Sequence, residues 1–145
     1  MTICLAAALG VFNSYSADAF NGPPHGGTPV VVGSHGYHLE FVRDAEKGRL
    51  QAYLLDGHVE NYVNVPEASF DMVATIGDKQ ERLTFQRVPI AGKPLAKESS
   101  LFEGTADWVK TATNFNAVIP SITLKGKTFQ DVKVAFPKGS MHRAH

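Results

Sequence analysis

The chain has a single cysteine, Cys4, among 145 residues. That excludes an intrachain disulfide and any zinc site built on paired thiolates. It has no excess of either charge, with 14 Lys and Arg against 14 Asp and Glu. A neutral chain lacks the basic footprint of a nucleic-acid binder. It also lacks the uninterrupted apolar run of about 18 residues that a spanning helix needs, so none is expected. No internal repeat or low-complexity tract is present. The length is that of one domain, enough to bury a core without staples.

The densest apolar stretch lies at the start, from Ile3 to Phe12, and reads as the apolar region of a signal peptide. Ser14-Tyr15-Ser16-Ala17 follows with small residues where a signal peptidase cuts, placing cleavage near Ala17 or Ala19. A basic amino-terminal part is missing, and Cys4 precedes the apolar run, which argues against a lipid anchor. The competing reading is a buried first strand or helix. The expected organisation is a signal peptide over 1–19, an irregular lead-in over 20–28, a β-domain over 29–137 and a flexible tail over 138–145. A protein so processed works in the periplasm or is secreted.

Beyond the Pro- and Gly-rich lead-in, short alternating segments recur between turn residues. Strands are expected at 29–33, 37–43, 49–55, 58–63, 69–76, 82–88, 101–106, 117–124 and 128–136. A short helix is expected over 107–113, capped by Asp107. This pattern predicts an all-β fold, an antiparallel β-sandwich of immunoglobulin-like character with at most one or two short helices. Leu39, Phe41, Leu54, Val73, Phe85, Ile122, Val132 and Val134 are the expected core.

Four of the six histidines fall between Pro24 and Asn61, and two of them head the same pattern, His38-Leu39-Glu40 and His58-Val59-Glu60. Residues two apart on a strand share a face, so each pattern sets an imidazole beside a carboxylate. Matching apolar faces makes Asp44 and Arg49 close one hairpin, with Leu39 opposite Leu54 and Phe41 opposite Ala52. Asp56-Gly57 then reads as a two-residue turn that pairs Leu55 with His58. Together these registers bring His38 and His58 onto one face, about 9.6 Å apart at two strand spacings.

Neutral imidazoles with carboxylates suit a borderline divalent ion, Zn or Cu(II). The candidate ligands are His25, His35, His38, Glu40, His58 and Glu60, with His38 expected to bind the ion together with at least one of the others. His142 and His145 lie on a tail read as a frayed end with no role. Solvated or hydrogen-bonded histidines on a polar strand face are the competing reading. No nucleophile elbow surrounds Ser34 or Ser99-Ser100, and no phosphate loop follows Gly26-Gly27 or Gly33. No enzyme is predicted.

His25-Gly26-Gly27, Tyr37-His38-Leu39-Glu40-Phe41-Val42 and Gly48-Arg49-Leu50-Gln51-Ala52-Tyr53-Leu54-Leu55-Asp56 resemble a group of small exported bacterial proteins. That group is similar to periplasmic companions of heavy-metal efflux systems. The resemblance covers residues 24–60 and implies a metal-handling β-domain, with His25, His38 and Glu40 at the matching positions. The chain departs from the group in lacking a long His/Asp-rich tail. The function expected is a non-catalytic, exported carrier of a divalent transition metal whose partner is an efflux-system or envelope protein. The alternative is a metal-free envelope interaction or adhesion module. Mass spectrometry of the native protein should find residues up to about Ala17–Ala19 removed; an intact Met1 would refute the signal reading.

Overall fold

The computed structural model describes residues 22–34, 36–89 and 92–139. The expected signal peptide, His35 and the tail histidines His142 and His145 lie outside the described residues. Eight strands are present among the described residues: Thr28–Val32 (β1), Tyr37–Asp44 (β2), Arg49–Asp56 (β3), Ser69–Ile76 (β4), Lys79–Arg87 (β5), Leu101–Thr105 (β6), Phe115–Leu124 (β7) and Lys127–Phe136 (β8). The helical segment is one 3-10 turn, Asp107–Lys110. Its cap is Ala106, without a side-chain hydrogen bond, so Asp107 opens the turn instead of capping it.

All ladders are antiparallel, and they form one continuous sheet in the order β1-β2-β3-β6-β5-β4-β7-β8. The expected sandwich is therefore not what the ladders form. Alternation tells which face of each strand is apolar, but not which strands are neighbours. Here no break separates two sheets, and the outer strands curl toward each other into a barrel-like, nearly closed form. At the seam, Thr28 Oγ1 on β1 donates to the Pro137 carbonyl after β8 at 3.0 Å. Tyr37 of β2 meets Phe129 of β8 edge-on, with ring centroids 6.0 Å apart. Gly33 lies under Phe129 at φ 73°, and a Cβ there would stand 2.5 Å from the ring. Only glycine admits both that φ and that approach.

Side chains fill the interior, as eight strands allow. Val30, Leu39, Phe41, Leu50, Leu54, Met72, Phe85, Phe102, Ile119 and Val134 are buried in one cluster, with Val109 of the 3-10 turn beside them. Phe85 sits at the centre of an aromatic group. It stacks on Phe70 at 4.7 Å and meets Phe41 at 5.8 Å. Seven of the eight expected core residues are buried, and Val73 is the exception. In β4 the residues Phe70, Met72 and Ala74 take the inner face, so the β-branched set Val73 and Thr75 points out. There Val73 lines a shallow outer groove of about 440 Å³ with Val118 and Ala135.

The first hairpin register is the expected one, with Asp44 opposite Arg49, Leu39 opposite Leu54 and His38 opposite Leu55. The second is not. Leu55 bridges to Tyr62, and residues 58–63 form no strand. Phe85→Ala should lower unfolding free energy by about 3–5 kcal/mol, as emptying a large buried site does. Val73→Ala, on the half-buried outer face, should cost about 1 kcal/mol or less; urea denaturation of both variants checks the assignment of faces.

Candidate functional site

The expected outer face of β2 and β3 is where the chain concentrates its chemistry, and it is covered. The lead-in reaches one part of it through bonds to Glu40, and the loop after β3 returns beside it where Tyr62 bridges to Leu55. Leu55 and Val59 are buried there, outside the interior cluster. His38 is 4% exposed and Glu40 is fully buried.

Asp56 explains why the second hairpin differs. Its Oδ1 accepts the backbone N–H groups of His58 at 3.1 Å and Glu60 at 3.0 Å, and its Oδ2 accepts Asn61 Nδ2 at 2.9 Å. The Asp56 N–H in turn donates to the Asn61 carbonyl at 2.9 Å. An aspartate that captures amides two and four residues ahead outcompetes the two-residue turn that Asp-Gly would otherwise favour. The loop is wider, and Val59 takes a positive φ of 60° within it. His58 and Glu60 are exposed on this loop, away from the row that His38 and Glu40 share. Tyr62 stands across from Leu55, where His58 was expected.

Glu40 is the centre of the arrangement. Its Oε2 accepts the backbone N–H of His25 at 2.9 Å and that of Gly27 at 2.8 Å. Its Oε1 pairs with His25 Nδ1 at 2.9 Å. A carboxylate accepts only, so Nδ1 is the protonated nitrogen and Nε2 of the neutral ring holds a lone pair. That Nε2 lies 3.2 Å from the Tyr62 hydroxyl, which donates to it. The imidazole also stacks on Tyr53, with centroids 3.8 Å apart and planes 15° from parallel. Gly27 lets the lead-in come this close, because a Cβ there would stand 2.5 Å from the Phe41 carbonyl oxygen and 3.0 Å from Glu40 Cγ. The result is a buried carboxylate, a fixed imidazole and a phenol in line, the imidazole side chain being 32% exposed and Tyr62 51% exposed.

The two tyrosines differ. Burial, then the neighbouring Tyr62 and Glu40, hold the Tyr53 phenol above its usual range. The Tyr53 hydroxyl turns toward Gln51 Oε1 at 3.4 Å, and Gln51 Nε2 donates to Glu103 at 2.7 Å. Tyr62 faces outward.

Of the six residues singled out in the sequence, the fold brings His25 and Glu40 into direct contact. His38 lies along the same strand, with Nδ1 3.1 Å from the Asp56 carbonyl oxygen. His58 and Glu60 do not join them, and His35 lies outside the described residues. Among the described residues, no group of three His, Cys, Asp or Glu side chains gathers as a metal cluster. Sequence reasoning missed Tyr53 and Tyr62. Asn61, six positions into a segment begun by Asp56-Gly57, was the available sign of a wider loop, and a wider loop would have set Tyr62 beside the face.

The Asp56 carboxyl is lowered to about 2, chiefly by the Glu60 N–H with Asn61 and His58 adding to it. A carboxyl lowered on folding adds stability that is present above its unfolded value and lost as pH falls through the folded one. Stability contributed by Asp56 should therefore be lost between about pH 4 and about pH 2. In Asp56→Asn that part of the acid sensitivity should be missing, as read from urea midpoints across this range. An unchanged profile would contradict the role given to the carboxylate.

Among the described residues, no helix is long and apolar enough to cross a membrane. Comparison with family models, with curated proteins and with solved structures returned no match.

Proposed function

We propose that this chain is an exported, non-catalytic carrier that takes a divalent transition metal at the His25 imidazole and passes it to an efflux-system or envelope partner. The observation that carries this reading is the Glu40–His25 pair. Histidines that bind metals commonly donate their second nitrogen to a carboxylate, which fixes the tautomer and raises the basicity of the ligating nitrogen. Glu40 and His25 have that relation, with Nε2 turned toward the surface. The apolar run at Ile3–Phe12 supports export, and the resemblance over residues 24–60 supports metal handling. His38 is the weaker ligand, because an ion there would displace the bond to the Asp56 carbonyl.

A second reading is a metal-free envelope interaction module. It is favoured by the half-exposed Tyr62 lying 6.1 Å from both the His25 and Tyr53 rings, since rigid aromatic groups of this kind anchor protein interfaces. Calorimetric titration of Zn and Cu(II) into the full chain carrying His142→Ala and His145→Ala separates the two. Binding should be abolished or severely weakened in His25→Ala and reduced about 10–100-fold in Glu40→Gln. Equal affinity in all three proteins, or nothing tighter than about millimolar in the parent, which is roughly −4 kcal/mol, would leave the interaction module as the reading to pursue.

A further inference from the structure

The geometry points to Tyr62 as the second metal donor beside His25, making an imidazole–phenolate pair suited to Cu(II); the inference rests on the metal-carrier reading above. Two donors bound to one ion at about 2.0–2.1 Å, with an angle of 90–110° between them, stand about 2.9–3.4 Å apart. His25 Nε2 and Tyr62 Oη stand 3.2 Å apart. The pair therefore has the spacing of adjacent ligands before any ion arrives.

Both donors are also held. The His25 ring is fixed at Nδ1 by Glu40 and along its face by Tyr53. Tyr62 is fixed through its backbone by the bridge to Leu55, and its loop is tied down by Asp56. Little conformational freedom remains to be lost on binding, which favours a ligand that replaces the proton now shared between phenol and imidazole.

The chemistry of the pair narrows the ion. Imidazole nitrogen with phenolate oxygen is a mixed N,O set, and tetragonal N,O coordination is characteristic of Cu(II). On binding, the Tyr62 O–H bond breaks, the oxygen–copper bond forms and the proton leaves to solvent, so uptake releases protons. Tyr53 is not the donor, because its hydroxyl turns away to Gln51 Oε1. The exposed side of Tyr62 leaves the remaining positions to water or to a receiving protein. An ion held by two fixed protein ligands and otherwise by exchangeable ones is suited to transfer.

The test is optical titration of Cu(II) into the full chain carrying His142→Ala and His145→Ala, and into the same protein with Tyr62→Phe, Tyr53→Phe or His25→Ala added. Far-ultraviolet spectra check that each variant keeps its β-fold. A phenolate-to-copper charge-transfer band should grow to one equivalent in the parent and persist in Tyr53→Phe. It should vanish in Tyr62→Phe with at least about a tenfold loss of affinity. Copper binding that depends on His25 but shows no such band, or a band that survives Tyr62→Phe, would overturn the role of Tyr62 while leaving the carrier reading intact. Absence of copper and zinc binding by the parent would overturn both.

Discussion

One buried carboxylate organises the outer face of this protein. Removing an ionised carboxylate from water costs several kcal/mol, and each hydrogen bond to a charged group returns roughly 1.5–3 kcal/mol. Glu40 receives three, two from backbone amides and one from an imidazole, all supplied by residues 25–27. The lead-in is thereby held against β2, and the same bonds set the tautomer of His25. The position of Tyr53 beneath the ring and of Tyr62 at its edge, bonded to Nε2, completes the arrangement.

The barrel makes that arrangement possible by freeing one face. Phe41, Phe70, Phe85 and Phe102 pack on each other inside, so the outer faces of β2 and β3 can carry polar groups without loss of core. Arg87 binds the loops at one end of the molecule through the carbonyls of Pro66, Glu67 and Ala96. Glu67 in turn accepts the Lys125 and Gly126 amides of the β7–β8 turn.

Sequence made eight of the nine expected strands legible, because alternation and turn residues are local signals. The β2–β3 register was legible too, since a slip would have set Leu39 and Phe41 against the polar face. Closure into one sheet was not, for the β3–β6 and β4–β7 ladders join strands far apart in the chain. The site was half legible. His25 and Glu40 stood out as chemistry, but their contact joins residues 15 apart, with β1 and its turn between them, which no periodicity encodes. Asp56-Gly57 misled because the turn preference of the dipeptide lost to the hydrogen-bonding capacity of the aspartate, and that exchange moved His58 away and Tyr62 in.

The central claim is that Glu40 holds His25 as the Nδ1–H tautomer, with Nε2 as the acceptor of the Tyr62 hydroxyl. Long-range proton–nitrogen correlation spectra of the imidazole in the metal-free protein at neutral pH measure this directly. The account predicts an Nδ1–H tautomer with a slowly exchanging Nδ1 proton, lost in Glu40→Gln. An Nε2–H tautomer, or a freely exchanging ring unaffected by that substitution, would contradict it.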